Sequence, residues 1–516
     1  MKSIKLAAVA ALTVALSTIT VPSPQQAVAA PPAPSAAAAA PEGEQPNILL
    51  ITSDDQNDFE LQWMPKTMRL LAGNGINFTD GLNPHPICCP ARAEILTGEY
   101  GHNNGVHHNS GPWGGYSALV KNGWVDQNIG SWLNGAGYKT AFIGKPLNNY
   151  QPESRRLEGW DTWNPTVNNS TYAYYGTEFL DNAGGGTTTY NKKYVADVVR
   201  DKTKNLISSW SRTDEPFFIW ASHVGPHGAH RTFNRQRSTK VGGRAAAIPA
   251  DRHVNSFADL AFPVRNKPSY REVGRSVRDK PAPIVSQSRE QKQSGEFFQR
   301  RVESLQAIDE ANAASIRALR NAGELDNTVV VYVSDNGYQL GEHGLEGKNY
   351  VYQENLQIPF LMRAPDMAGG QELDMAASLV DLAPTFLDYA GVLGKVRRQG
   401  RTDGLSLRRA VVQGMPNDTT LIQAGDPKLE WLWRGVRTSR YTYAEWSQGY
   451  YELYDRRTDE FELDNLVDPD TGVLLDPRYA RVLSELQQRY LELKDCSGVR
   501  QCERSSFDRM PRRRAA

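Results

Sequence analysis

The sequence predicts an α/β fold: a large, mostly parallel sheet sandwiched by helices, with a smaller C-terminal α+β subdomain. Three observations predict it. Four runs, Asn47 to Thr52, Lys139 to Ile143, Pro216 to Ala221 and Thr328 to Val333, are continuously apolar and do not alternate, which is how strands buried on both faces read. Helical patterns lie between them, and strands that alternate with helices imply a mostly parallel sheet. From about Asp403 the pattern changes to alternating, aromatic-rich segments, as antiparallel strands have.

The elements follow in order. Lys2 and Lys5, the small or apolar run Leu6 to Val21, and Ala27-Val28-Ala29 predict a secretory signal, residues 1–29, cleaved near Ala29, and hence a secreted protein. The apolar run is short for a membrane span of ~20 residues, so no span is expected in the mature chain. Residues 30–46 are mostly Ala and Pro and read as a disordered leader. The large domain is expected over 47–402. Within it, helices are predicted over Trp63 to Ala72, stopped by Gly73-Asn74-Gly75, over Asn128 to Leu133, over Phe297 to Ala322, and over Ala376 to Ala390. Residues 231–296, polar and rich in Arg and Pro, read as a surface excursion. The subdomain, 403–516, is expected to contain strands within Trp433 to Trp446 and Tyr450 to Tyr454, and a final amphipathic helix, Pro477 to Lys494.

The 58 basic and 58 acidic residues cancel, so the net charge carries no signature of nucleic-acid binding. The run Arg512-Arg513-Arg514 reads as a frayed, charged end. Of the four cysteines, Cys496 and Cys502 read as one small-loop disulfide. Cys88 and Cys89 are adjacent, and because vicinal disulfides are strained and rare, that pair requires another explanation.

The residues that follow the four strands suggest a site. Asp54 and Asp55 follow the first, Lys145 the second, His227 the third, and Asp335 and Asn336 the fourth. Ligands of open α/β sheets bind outside the carboxyl ends of the strands, and here four strands deliver charged or metal-ligating groups to that end. Asp54, Asp55, Asp335 and Asn336 are all oxygen donors, the set that hard cations such as Ca²⁺ or Mg²⁺ prefer.

The segment Cys88-Cys89-Pro90-Ala91-Arg92, followed by Thr97-Gly98, resembles the C-x-P-x-R signature of the formylglycine-dependent sulfatases. The resemblance runs through most of the mature chain: Pro46 to Ile51 leading into Asp54-Asp55, Gly144-Lys145, Ser334-Asp335-Asn336-Gly337 with Gly341-Glu342-His343-Gly344, Leu379 to Thr385, and Glu452 to Asp455 with Asn465-Leu466. The pair Cys88-Cys89, the stretch Lys145-Pro146-Leu147-Asn148 and the run Ser304 to Glu310 look closest to the N-acetylglucosamine-6-sulfatase and heparan-sulfatase branch.

The resemblance implies an alkaline-phosphatase-like fold and a sulfuric ester hydrolase. Cys88 would be oxidised to formylglycine by a formylglycine-generating enzyme acting on the unfolded segment. One hydroxyl of the aldehyde hydrate would attack sulfur and expel the alcohol; loss of the second hydroxyl's proton would then release sulfate. Cys89 would be a buried filler. One Ca²⁺ would sit on Asp54, Asp55, Asp335, Asn336 and the converted Cys88. Arg92 would stabilise the hydrate, and Lys145, Lys348 and His227 would contact sulfate, with His227 also able to protonate the leaving alcohol. His223 is its competitor. The sequence departs from many sulfatases in having Leu147 where they have a histidine, so the group that deprotonates the second hydroxyl is not assigned; His107, His108 and His343 lie nearby in sequence. The substrate would be a sulfate monoester, and the branch resemblance suggests a sulfated sugar such as glucosamine-6-sulfate. Two alternatives remain: a phosphonate or phosphodiester hydrolase on the same fold, and a binder of sulfated glycan that does not cleave it.

Overall fold

The computed structural model describes residues 45–181, 185–229, 240–241, 244–289, 295–414 and 418–502. The expected signal segment, nearly all of the leader, the arginine run near the C-terminus and part of the 231–296 excursion lie outside them. Among the described residues no helix is long and apolar enough to cross a membrane.

Eight strands form the main sheet: β1 (Asn47–Asp54), β2 (Ile76–Leu82), β3 (Lys139–Gly144), β4 (Thr162–Pro165), β5 (Phe217–Pro226), β6 (Thr328–Ser334), β7 (Phe360–Arg363) and β8 (Gln371–Ser378). Their spatial order is β8-β2-β7-β6-β1-β5-β3-β4. Only β7 runs against its neighbours; the remaining pairs are parallel. The four predicted strands are β1, β3, β5 and β6, and they lie side by side at the centre. That explains their unbroken apolar runs. Successive residues of β1 face opposite layers, Ile48 and Leu50 on one side and Leu49 and Ile51 on the other, each at most 1 % exposed. Each such side chain contributes about 1.5–3 kcal/mol relative to exposure, so both faces favour apolar residues, and a polar one such as Thr52 is hydrogen-bonded, here to Ser222 and Trp220.

The first layer holds α1 (Cys88–Thr97) and α2 (Leu382–Tyr389); the second holds α3 (Val195–Trp210) and α4 (Gly295–Ala322). The predicted helix Trp63 to Ala72 contracts to Pro65–Leu70 between two 3₁₀ turns. It is tied to α4 by Asp309, which accepts hydrogen bonds from the Thr67 N–H at 2.6 Å and the Thr67 hydroxyl at 2.8 Å. The expected helix Ala376 to Ala390 needs correction. Ala376, Ala377 and Ser378 pair with β2 as the end of β8, and the helix begins only at Leu382, after a turn in which Ser378 and Asp381 cap each other. An Ala-Ala-Ser segment leans toward helix by propensity, and pairing with the neighbouring strand overrode it.

The C-terminal part carries a four-stranded antiparallel sheet of Thr419–Ala424, Trp433–Thr438, Tyr441–Trp446 and Tyr451–Asp455. Ala480–Leu493 packs against it through Leu486, Tyr490 and Leu493. Cys496 and Cys502 form the expected disulfide, and Cys88 and Cys89 are free.

The end of β3 depends on one glycine. Gly144 has φ 107°, and a Cβ there would lie 1.9 Å from the Ser222 carbonyl oxygen, which also accepts the Lys145 N–H at 3.0 Å. Gly144→Ala is expected to cost on the order of 3 kcal/mol, read as a lower urea midpoint with an unchanged slope.

Candidate active site

The carboxyl ends of β1, β3, β5 and β6 meet the N-terminus of α1, and the predicted residues converge there. Cys88 is the first residue of α1 and is 1 % exposed. Helix N-termini present unpaired N–H groups and favour anions. Asp54 ends β1, and Asp55 turns the chain with a left-handed φ of 65°. The Cys88 Sγ lies 3.6 Å from Asp54 Oδ1 and 2.8 Å from Lys348 Nζ.

Three carboxylates and three cations interlock here, nearly all of them buried. Lys145 Nζ bonds Asp54 Oδ2 closely and reaches Asp335 Oδ2 at 3.3 Å. Arg92 donates from Nε to Asp335 Oδ2 at 2.9 Å and from Nη1 to the Lys145 carbonyl at 2.8 Å and the Ser222 hydroxyl at 2.6 Å. Lys348 Nζ bonds Asp55 Oδ1 closely, with Asn336 Oδ1 at 3.5 Å. Asn336 Nδ2 donates to Asp55 Oδ1 at 2.6 Å, and the Asp55 N–H reaches Asp335 Oδ1 at 3.2 Å.

The charges follow from these contacts. Burial raises the Asp54 carboxyl, helped by Asp335. Burial acts on Asp55 and Asp335 too, but Lys348 and His227 outweigh it at Asp55, and Lys145 and Arg92 outweigh it at Asp335, so both stay ionised. At Lys145 and Lys348 burial would lower the amine, and the carboxylates more than offset it. Burial pushes the Cys88 thiol up to about 11 despite both lysines. An unmodified Cys88 is therefore protonated near neutral pH and a weak nucleophile.

His227, not His223, enters the group. Its Nε2 is 3.6 Å from Asp55 Oδ2, and its Nδ1 is 2.8 Å from the Gly228 carbonyl. A carbonyl only accepts, so Nδ1 carries the proton and Nε2 faces the carboxylates. Burial keeps the ring below its usual range. Asp54, Asp55, Cys88 and His227 place ligand atoms within 4.8 Å of one another. Asn336 joins them through Lys348, whose ammonium sits where Asp55, Cys88 and Asn336 converge. A pocket that gathers these donors around one cation fits a hard divalent ion.

The other residues singled out in the sequence have surroundings of their own. Leu147 is 4 % exposed and belongs to the apolar core. His223 is buried, and burial pushes it down to about 3. His343 stacks on Tyr352 and binds Glu272 at 2.6 Å, and His107 stacks on Trp431; neither touches the cluster. Cys89 is fully buried, and its sulfur accepts the Asn148 N–H at 3.0 Å.

Two residues at the site had no sequence signal. Arg301 on α4 clamps the turn after β1, donating to the Asp55 carbonyl at 2.5 Å and to both oxygens of buried Glu60 at 2.7 and 2.8 Å. Tyr172 stacks on His227 with centroids 4.1 Å apart, and Lys145 Nζ lies 5.3 Å from its ring. A helix arginine and a loop tyrosine look ordinary until folding brings their partners. Arg301→Ala would leave buried Glu60 without its counter-ion, a loss of about 3–5 kcal/mol, which should appear as a lower denaturant midpoint.

Similarity to known proteins adds to this geometry. The family profile described as Sulfatase matches residues 46–392, and one described as N-sulphoglucosamine sulphohydrolase, C-terminal, matches residues 341–495. The chain is 31% identical over 393 residues to the extracellular sulfatase SULF-1 homolog of Drosophila melanogaster, covering 74% of this chain and 33% of that one. It is 28% identical over 496 residues to N-acetylglucosamine-6-sulfatase of Homo sapiens, covering 88% and 85%. A solved structure of a protein in complex with its substrate D-glucosamine-2-N,6-O-disulfate superimposes with a TM-score of 0.68 at 22% identity, covering 92% and 100%; at that identity the likeness concerns the fold. The chain spans 33 to 56% of the length of the extracellular sulfatase and algal arylsulfatase relatives. With well over half of its residues matched by the first profile, the chain belongs to the sulfatase family.

Proposed function

We propose that this chain is a secreted sulfatase that hydrolyses a sulfate monoester, with Cys88 converted to formylglycine as the nucleophile. One observation carries the reading: Cys88 stands at a helix N-terminus within contact of Asp54 and Lys348, inside a buried cluster of matched carboxylates and cations. Catalysis of sulfate transfer requires cations for the sulfate oxygens and a strong nucleophile. The buried, protonated thiol is not such a nucleophile, so in this reading the role falls to the converted residue.

Asp54, Asp55, Asp335, Asn336 and the converted Cys88 would hold one Ca²⁺, which when bound polarises a sulfate oxygen as a Lewis acid. Lys145 and Lys348 bind the sulfate oxygens. Arg92, held by Asp335, Ser222 and the Lys145 carbonyl, fixes the helix bearing Cys88 against the strand end bearing Lys145 and adds positive charge beside the nucleophile. His227 offers Nε2, which would take the proton lost by the attacking hydroxyl and give it to the departing alkoxide. A sulfated sugar as substrate is supported by the name of the human relative, N-acetylglucosamine-6-sulfatase. The N-terminal pattern supports export after cleavage near Ala29, and conversion of Cys88 calls for a formylglycine-generating enzyme.

Co-expression with such an enzyme, followed by mass measurement of the peptide spanning Cys88, should show an aldehyde at Cys88 and a thiol at Cys89. The matured protein should release sulfate from sulfate monoesters faster than it cleaves an aryl phosphonate ester; the reverse order would favour the phosphonate-hydrolase reading. Cys88→Ala should lower turnover on the order of 10³-fold or more; retained turnover would sink the nucleophile. A protein that binds sulfated sugar but releases no sulfate, though matured, would be a binding relative.

The metal assignment has its own readout. Ca²⁺ at 100 times its Kd should raise stability by about 2.7 kcal/mol, seen as a higher melting temperature. Asp55→Asn should remove most of that shift. An equal shift in both proteins would place the ion elsewhere.

A further inference from the structure

With Cys88 still a thiol, the start of α1 carries a donor set of a different kind from the oxygen ligands of a hard cation. Asp54, Asp55, Cys88 and His227 each bring a ligand atom within 4.8 Å of the other three. Cys88 Sγ lies 3.6 Å from Asp54 Oδ1, and His227 Nε2 lies 3.6 Å from Asp55 Oδ2. A tetrahedral ion bound by sulfur, nitrogen and oxygen holds its ligands about 3.5 Å from one another, so both separations already have that length.

Each group is turned so that this atom stays open. Asp54 gives Oδ2 to Lys145 and turns Oδ1 to the sulfur. Asp55 gives Oδ1 to Lys348 and Asn336 and turns Oδ2 to the imidazole. His227 donates from Nδ1 to the Gly228 carbonyl at 2.8 Å, which leaves the lone pair on Nε2. A carbonyl on the far ring nitrogen is the usual support of a metal-bound histidine. Asp335 is outside the set, because its Oδ2 holds Arg92 and Lys145 and its Oδ1 accepts the Asp55 N–H. Asp54, Asp55 and Cys88 are at most 2 % exposed. The His227 side chain, 24 % exposed, forms the side through which an ion can enter.

We propose that the folded chain with Cys88 unconverted binds one Zn²⁺ through Cys88 Sγ, His227 Nε2, Asp54 and Asp55, and that a chain whose Cys88 has been converted has lost this site. Thiolate and imidazole select borderline metals such as Zn²⁺, whereas Ca²⁺ prefers oxygen alone. On binding, the S–H bond of Cys88 breaks, the S–Zn bond forms and the proton leaves to solvent; nothing is oxidised or reduced. Lys348 competes with the ion. Its ammonium lies 2.8 Å from the sulfur, and it gives up that contact while keeping Asp55. Four protein ligands leave no open position, as in structural zinc sites, so the zinc form is inert and its thiol is blocked. The zinc site stands on the geometry of the thiol form, and only its loss on conversion rests on the sulfatase reading.

The test uses the full chain without an affinity tag, expressed without a formylglycine-generating enzyme. After incubation with Zn²⁺ and gel filtration, elemental analysis should find about one zinc per chain. Co²⁺ in place of Zn²⁺ should give a thiolate-to-cobalt charge-transfer band. Cys88→Ala should abolish that band, and Cys88→Ala and His227→Ala should each weaken Zn²⁺ about a hundredfold. Cys89→Ala should leave the affinity unchanged, since that thiol lies outside the set. Lys348→Met removes the competing ammonium and should tighten Zn²⁺ about tenfold. No retained zinc, a cobalt complex without the charge-transfer band, full affinity in Cys88→Ala, or no tightening in Lys348→Met would each overturn the site. Should a variant fail to fold, the cobalt spectrum of the wild type decides, because it needs no substitution. A converted sample, identified by the mass of its Cys88 peptide, should retain no zinc; equal retention would overturn the loss on conversion. A sample whose mass shows no conversion counts against the sulfatase reading alone, since the zinc site is scored on the thiol form.

Discussion

The arrangement depends on the Asp335 carboxylate. It follows β6 directly and is fully buried, and its Oδ2 takes both Arg92 from the helix that begins with Cys88 and Lys145 from just past the end of β3. Its Oδ1 takes the N–H of Asp55 beyond β1. One side chain thus joins three chain segments that approach each other only after folding. Removing one partner of a buried pair leaves the other charge without compensation, a loss of several kcal/mol. The position of Cys88 relative to the lysines is therefore fixed by electrostatics as much as by packing.

Around that carboxylate the protein alternates charge in space. Asp54 lies between Lys145 and the Cys88 thiol, and Asp55 lies between Lys348, Asn336 and His227. Such a group can accept an anion without large rearrangement, because the cations are already positioned and the carboxylates already paired with other donors. Preorganised charge of this kind is the main source of transition-state stabilisation in many enzymes. Its supports are remote in sequence: Arg301 fixes the turn of Asp55 from α4, and Tyr172 fixes the ring of His227 from a loop.

Legibility in the sequence differed by the kind of signal. The central strands were readable because burial on both faces demands unbroken apolar runs, and β1, β3, β5 and β6 begin and end within a few residues of their expected places. The peripheral strands were not. β2 and β8 mix polar and apolar residues at the far edge of the sheet, so Ala376 to Ser378 passed as helix. The strand-end residues were readable because short motifs mark them. Arg301, Glu60 and Tyr172 carry no motif.

Taken alone, the sequence determined the layered α/β class, the terminal disulfide, and the set of residues gathered at the carboxyl ends of the strands. Those are properties of composition, period and local spacing. The tertiary structure decided which histidine faces Asp55, that Leu147 turns into the core, and which arginine supports the first turn. These are contacts between segments tens to hundreds of residues apart. No local pattern encodes them, because each exists only once the sheet has fixed the distance between the segments.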